Sequence, residues 1–468
     1  MRGLTALLVG CIAIALCPAQ SWEKLLAPGL TYRMEVQAAP PRVIHALRFS
    51  LGTPVVRAEA ELAQQRVYAD DPAQGRETVS QLARRTGALA GVNADFFPFT
   101  GDVLGLMVRN GELISEPEPR RAVFGWGPSD AVFGYGRWTG TVRLPDGSTA
   151  PLAGLNRDCA GGELVLNFPA AGLVRSPQGS IAIVLDATAE PQPTGALSAT
   201  VRQVRTDAPR LLVEPGTAVL VVAGAAAQQL ASVKPGDVLT FEWRTEGFDW
   251  AKVRQAVGGG PWLVRNGQPA VNAQAEGFAP GFSANRHPRT AVGRTPEGDV
   301  WLVAIDGRQA MSVGATLEET ARVLIRLGCV EGINLDGGGS TVLSLFGFAM
   351  NRPSDGSERA VSNAVLFYGP RPQPEDGELR IPLESIPPVG GELRLRLLRE
   401  DGQPIPNAEV LWTAAGAAWI DQGGTLRALR PGPVTVRAFA RGRWTERTFE
   451  VPAPNASARS SVRSRVVR

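Results

Sequence analysis

Asp336-Gly337-Gly338-Gly339-Ser340-Thr341 concentrates more potential chemistry than any other stretch of this chain. A carboxylate heads it, three glycines follow and two hydroxyls close it. Glycines admit positive φ and leave backbone N–H groups unshielded, so the run can form an anion-binding nest to which Ser340 and Thr341 add donors. It is not a nucleotide P-loop, because the lysine is missing and no helix clearly follows. A glycine-rich hairpin turn is the plainer alternative. The approach to this motif occurs twice. Residues 85–95 and 326–336 share Arg85/Arg326, Gly87/Gly328, Gly91/Gly332, Asn93/Asn334 and Asp95/Asp336. Each copy follows a predicted helix and finishes as a short apolar strand ending in Asn-x-Asp. Side chains alternate along a strand, so the amide and carboxylate of each copy point to the same side. Two such strand ends would line a polar cleft, although Asn and Asp also serve simply as strand caps and turn formers.

Other candidates are scattered along the chain. In His287-Pro288-Arg289-Thr290 the planar donors of Arg289 can fork onto a phosphate or a carboxylate, or the residue is a surface cation. Asp306 ends an apolar stretch, Trp301 to Ile305. Glu358-Arg359-Ala360-Val361-Ser362-Asn363 adds a charged pair that alone reads as a salt bridge.

The elements that must position these residues are partly visible. Leu82 and Ala83 lie on one face of a predicted helix at 76–86, stopped by Gly87. Between Val300 and Asp336 the pattern is strand, helix, strand. Thr316 and Glu319 form a capping box, Leu317, Ala321, Leu324 and Ile325 make the apolar stripe, and Gly328 stops the helix. Asp306 and Asp336 would then end two strands of one sheet, close together if those strands are parallel neighbours. Early strands are expected around 31–36 and 43–49, and the middle of the chain, 140–250, reads as β-rich. The expected fold class is α+β, with a mixed-sheet domain at 28–369 and a linker at 370–377. A small all-β immunoglobulin-like sandwich is expected at 378–452, and a disordered basic tail at 453–468.

Composition narrows the function classes. A chain of 468 residues implies two or three domains. The net charge is +3, and Arg459, Arg463, Arg465 and Arg468 account for four positives in the tail, so no broad nucleic-acid-binding face is expected. Arg2, the apolar run from Leu4 to Leu16 and Cys17-Pro18-Ala19 have the layout of a secretory signal peptide at 1–19. That run is too short for a confident membrane span, and no later stretch approaches the length of one. A secreted, periplasmic or envelope protein is therefore expected. Cys159 and Cys329 would remain after cleavage, as one bridge or as two buried thiols. With only His45 and His287 and no paired cysteines, neither metal nor cofactor is expected.

Five motifs occur in order: Asn93-Ala94-Asp95-Phe96-Phe97; His287-Pro288-Arg289-Thr290-Ala291-Val292-Gly293; Asp306-Gly307-Arg308-Gln309; Asn334 to Thr341; and Asn351-Arg352-Pro353-Ser354-Asp355 with Glu358 to Asn363. Together they resemble the phosphodiester glycosidase family over about residues 28–369. The first motif carries Asn-Ala-Asp where some relatives have Asn-Gly-Gly, which separates Asp95 from the family pattern. The resemblance implies hydrolysis of a sugar-1-phosphodiester to free sugar and phosphomonoester, acting on envelope or extracellular polysaccharide. It implies Asp336, Asp306 and Asp95 as catalytic carboxylates, with Glu358 behind them. Asn93, Arg289, Thr290, Asn334, Gly337, Gly338, Gly339, Ser340, Thr341, Arg359 and Asn363 would contact substrate or phosphate. Such chemistry needs donors for the phosphate, and carboxylates that protonate the leaving oxygen or activate water as oxocarbenium charge develops. The competing reading is a non-catalytic envelope module that binds glycan, its immunoglobulin-like part contacting the cell surface. A metal-dependent phosphodiesterase is a third, which the scarcity of histidine disfavours.

Overall fold

The computed structural model describes residues 19–68, 75–98, 101–206 and 209–454. The expected signal peptide (all but Ala19) and the basic tail from Asn455 on lie outside the described residues. In chain order, the strands that matter for the site are β1 (Gln20–Ala27), β2 (Leu30–Ala38), β3 (Pro41–Ser50), β4 (Arg57–Leu62), β5 (Ala90–Asn93), β6 (Trp262–Arg265) and β7 (Gln268–Pro269). They continue with β8 (Arg289–Arg294), β9 (Asp299–Ile305), β10 (Glu331–Leu335), β11 (Leu343–Leu345), β12 (Phe348–Ala349) and β13 (Asn363–Tyr368). Two helices accompany them, α1 (Val79–Thr86) and α2 (Leu317–Arg326).

One sheet runs β1-β2-β3-β9-β8-β10-β6-β7 and a second runs β12-β11-β5-β13-β4. A shared core lies between them, with Leu47, Leu302 and Ile333 from the first sheet meeting Val92, Leu343 and Val365 from the second. Alternation along β9 shows how the layers stack. Val300, Leu302 and Ala304 enter that core, whereas Trp301, Val303 and Ile305 join Leu317, Ala321 and Leu324 of α2 on the other side. A strand covered on both faces has no polar side, which is why its sequence reads as one apolar run.

The expected α+β class is overturned: strands make up 46% of the described residues and helices 9%. The reason is strand pairing. Hairpins join five of the eleven neighbouring pairs in the two named sheets, the other pairs bring together strands distant in sequence, and all eleven are antiparallel. The expected parallel neighbours are also corrected. β9 and β10 point the same way, but β8 lies between them and is antiparallel to both. Asp306 and Asp336 therefore leave the same end of the sheet with one strand between, about 10 Å apart by strand spacing.

The middle of the chain forms a second eight-stranded sheet with its own core around Leu166, Leu220 and Phe241. After residue 390, two three-stranded antiparallel sheets enclose Trp412. This part packs against what precedes it. Phe439 stacks on Phe346 with ring centroids 4.1 Å apart, and Trp444 Nε1 donates to Phe346 O at 3.1 Å. The 370–377 segment is tied at both ends, Arg371 donating to Ala88 O at 3.1 Å and the amide of Glu375 to Arg441 O at 3.1 Å. Cys159 and Cys329 are free, buried thiols in separate cores, and burial pushes them up to about 11 and about 12. Among the described residues, no helix is long and apolar enough to cross a membrane.

Candidate functional site

The duplicated segments are built alike. Thr78 and Gln81 cap α1 as Thr316 and Glu319 cap α2, each pair forming a reciprocal capping box. Gly87 and Gly328 then turn left-handed, with φ of +78° and +88°. The next amides, Ala88 and Cys329, reach back to Ala83 O at 2.9 Å and Leu324 O at 3.0 Å. A glycine in each strand lets its helix press close. A Cβ on Gly91 would stand 3.0 Å from Val79 of α1, and one on Gly332 would stand 2.7 Å from Leu324 of α2.

The two strand ends meet, although β5 and β10 belong to different sheets. The amide of Asp336 donates to Ala94 O at 2.9 Å, and Asn93 Nδ2 donates to Asp336 O at 2.6 Å. Asn93 Oδ1 accepts from Val342 N at 3.0 Å and from the Thr290 hydroxyl at 2.9 Å, and that hydroxyl also lies 3.3 Å from Thr341 Oγ1. Asn334 Nδ2 donates to Gly260 O at 3.0 Å while Gly260 N donates to Asn334 O at 2.7 Å. Asn363 Oδ1 accepts from the Asp95 amide at 2.9 Å. Asn93, Thr290, Asn334, Thr341 and Asn363 are all buried. They act as braces that fix the carboxylates.

Asp95 and Asp336 form the electrostatic centre. Asp95 is 2% exposed, with Oδ1 accepting from Phe96 N at 2.7 Å and Oδ2 from Gly105 N at 2.9 Å. A Cβ on Gly105 would stand 2.6 Å from Oδ2, and one on Gly258 would also collide with it, so both positions need glycine. Burial pushes Asp95 up to about 7, against the pull of its two N–H donors and Arg121 and with help from the charge of Asp336. Asp336 is partly exposed. Burial lifts it to about 6, opposed by the Ser340 hydroxyl, Arg359 and the Gly337 amide.

The other two carboxylates are otherwise engaged. Asp306 Oδ1 accepts from Asn351 Nδ2 at 3.2 Å and Arg352 N at 3.0 Å, and its Oδ2 lies 3.8 Å from His45 Nε2. Tyr32 OH is 2.7 Å from the Nδ1 of that histidine. Asp306 thus anchors the 351–352 turn. Glu358 accepts from Ser80 N at 3.1 Å in the first turn of α1, and burial raises its pKa.

Two binding expectations change. Arg289 is 1% exposed, and its donors go to carbonyls: Nε to Ala315 at 3.0 Å, and Nη2 to Phe282 at 2.7 Å and Asn285 at 2.9 Å. Its fork therefore holds the 282–285 turn and is not free for phosphate. The Gly-rich run is likewise not an open nest. It folds as a 3₁₀ turn over Gly338–Ser340, in which Gly338 N donates to Pro288 O at 2.9 Å, Ser340 N to Gly337 O at 3.2 Å and Thr341 N to Gly338 O at 3.3 Å. The small size of Gly339 makes room for Arg359 and Asp355, whose side chains a Cβ there would strike.

The expected Arg359 and a further cation, Arg308, lie at this turn. Arg308 is exposed, its Nη2 lies 3.4 Å from the Cβ position of Gly338 and 3.2 Å from His287 Nδ1, and its own φ is +60°. Arg359 pairs with Asp355 at 2.6 Å and lies 3.5 Å from Ser340 Oγ. Arg121 bears electrostatically on Asp95 and covers the Phe96 and Phe278 rings. Arg308 and His287 stood within motifs already singled out, but nothing local marked Arg308 as lying against Gly338.

A partly exposed carboxyl over a buried one, flanked by arginines, suits acid–base work on an anionic substrate. The family model described as phosphodiester glycosidase matches residues 187–368. Residues 187–368 carry a phosphodiester glycosidase domain. The chain is 37% identical over 138 residues to N-acetylglucosamine-1-phosphodiester alpha-N-acetylglucosaminidase of Bos taurus, and 35% over 138 residues to that of Homo sapiens. Each match covers 26% of this chain, and 26% and 27% of the relatives, so the chain spans about a quarter of their length. A prophage-derived protein of Bacillus subtilis is 35% identical over 112 residues, which is 24% of this chain and 17% of that one. Among solved structures, a Synechocystis protein superposes with a TM-score of 0.63 at 22% identity, covering 75% of this chain and 64% of its own. A Burkholderia pseudomallei protein named as exported gives 0.59 at 24%, covering 70% of this chain and 74% of its own. These two likenesses concern the fold alone. The phosphodiester glycosidase domain includes Arg289, Asp306, Asp336 and Asn363, whereas Asn93 and Asp95 reach the centre from outside the matched segment.

Proposed function

We propose that this protein hydrolyses a sugar-1-phosphodiester to free sugar and phosphomonoester. The observation that carries this reading is the Asp95–Asp336 pair, two desolvated carboxyls with pKa values raised to about 7 and about 6, locked together through Ala94 and Asn93. Asp336 faces the substrate and takes a proton from attacking water, and Asp95 beneath it adjusts the charge of the pair. The C1–O bond breaks with its electron pair on the phosphate oxygen, and the water-derived proton ends on the departing phosphomonoester. Arg308 and Arg359 meet the phosphodiester charge and stabilise that leaving group. The residues that encircle the pair, from Asn93 to Asn363, keep it rigid, as catalysis by positioned groups requires.

The layout of residues 1–19 supports export, and with it a substrate in envelope or extracellular polysaccharide. The test is hydrolysis of an aryl sugar-1-phosphodiester in ¹⁸O-labelled water. Label in the sugar supports cleavage at carbon. Label in the phosphate would point to a phosphodiesterase, and binding without product to a non-catalytic glycan module.

A further inference from the structure

A cavity of about 590 Å³ that the candidate site does not use opens between β1 and the C-terminal sheets. Trp22 of β1 and Trp419 of the Ala418–Ile420 strand line it together with Met311. All three side chains are half-buried, resting on the main core while part of each surface stays on the cavity. Two tryptophans presented this way offer flat apolar platforms with polar edges, which suit a ring that is apolar on its faces and hydroxylated at its rim.

The charges around the platforms decide what kind of ring. Arg394 and Arg427 are countered by Glu392 and Asp421, so the groove has two cations and two anions. Some of these polar groups are held in place: Arg394 Nη1 lies 3.2 Å from Thr425 Oγ1, and Asp421 Oδ1 accepts from Thr425 N at 2.8 Å. Arg427 sits directly across from Trp419 in the strand register. A polyanion such as single-stranded nucleic acid would require a cationic excess, which is absent here. Fixed donors and acceptors of balanced charge beside indole faces match an uncharged saccharide.

The groove also adjoins the candidate site. Met311 lies three residues after Arg308, at most about 11 Å of chain, in a turn closed by Gln309 and Ser312 amides that donate to each other's carbonyls at 3.1 and 3.0 Å. Gln309 Nε2 donates to Arg352 O at 2.9 Å, and Arg352 Nη1 donates to Ala418 O, next to Trp419, at 2.8 Å. We propose that the Trp22–Trp419 groove is a second saccharide-binding site, which takes a neutral stretch of glycan near the one carrying the phosphodiester. That a single polymer reaches both places rests on the glycosidase reading; the affinity of the groove for sugar does not.

The experiment is calorimetric titration of the purified protein with chitohexaose and cellohexaose, beside turnover of a small aryl sugar-1-phosphodiester. At least one hexasaccharide is expected to bind. Trp22→Ala and Trp419→Ala are each expected to weaken that binding about tenfold or more while leaving turnover of the small substrate unchanged. Asp336→Asn is expected to leave hexasaccharide binding intact, so the groove is judged even if no turnover is ever found. Should a tryptophan variant fail to fold, Ser21→Arg at an exposed position on the groove wall blocks the site without touching the core and must weaken binding equally. Absence of binding by both hexasaccharides at millimolar concentration, or unchanged affinity in a folded variant, overturns the proposal. So does tighter binding of a single-stranded oligonucleotide.

Discussion

The amide of Asp336 donates to the carbonyl of Ala94 at 2.9 Å, so each half of the repeated sequence is pinned to the other at its reactive end. Asn93 doubles the link through Asp336 O at 2.6 Å. A carboxyl fixed from behind by main-chain bonds keeps its place when its side chain changes, which makes the chemistry separable from the fold.

Asp336→Asn is therefore expected to reduce turnover of a sugar-1-phosphodiester by about 10²–10⁴-fold, the range of a lost acid–base group. Its thermal midpoint is expected to stay within a few degrees of wild type, because the backbone bonds survive. Turnover near the wild-type level in a folded variant would remove Asp336 from the reaction.

The pH dependence of stability follows from the raised values of Asp95 and Asp336. A carboxyl whose pKa rises on folding binds its proton more tightly in the native state than in the unfolded one. The native state then holds more protons between about pH 4 and pH 7, and stability falls as pH rises through that window. With Asp95 at about 7, the decline from pH 5 to pH 8 is expected to be shallower in Asp95→Asn than in wild type. Thermal midpoints across this range provide the check, and parallel slopes would contradict burial of a titrating carboxyl at Asp95.

Two arginines should separate cleanly in a combined kinetic and unfolding assay. Arg289→Met strands the carbonyls of Phe282, Asn285 and Ala315 and is expected to cost about 3 kcal/mol or more in urea unfolding. Arg308→Ala, at an exposed position, is expected to leave stability unchanged and raise KM for the phosphodiester about tenfold. The reverse pattern would restore Arg289 as the phosphate ligand.

The glycines inside the paired strands should differ in tolerance. An alanine at Gly332 meets the backbone oxygen of Val292 at 2.8 Å, which cannot move aside without disturbing β8. At Gly91 the obstacles are side-chain ends of Leu366 and Val79. Gly332→Ala is expected to cost about 1–3 kcal/mol and Gly91→Ala clearly less, measured by chemical denaturation. Equal costs would mean that β10 has room to shift.

What the sequence disclosed was local. The capping box at Thr316, the helix stops at Gly87 and Gly328, and the Asn-x-Asp endings all depend on residues within a few positions of one another, and the structure shows each of them. What stayed hidden depended on partners far along the chain. β8 could not be placed between β9 and β10, because strand order in an antiparallel sheet leaves no periodic trace. The hydroxyls and amides at Thr290, Thr341 and Asn363 were visible as polar residues, yet their work as buried braces depends on Asn93 and Asp95, more than 190 positions away in the case of Thr290 and Asn93. Arg289 illustrates the limit most clearly. The type of residue suggested an anion, and only tertiary packing showed that three carbonyls had claimed it.

Arg352 has a consequence for handling the molecule. Its amide is held by Asp306, while its guanidinium reaches Ala418 O and Gly416 O in the C-terminal strands. The nearby Phe346 ring is covered by Phe439, and Thr413 donates to Ala349 O at 2.7 Å. A recombinant form ending at residue 369 would leave that guanidinium without its acceptors and bring a sticky aromatic face into water. Poor solubility of such a truncation would reflect an amputated wall and not an unstable fold in what remains.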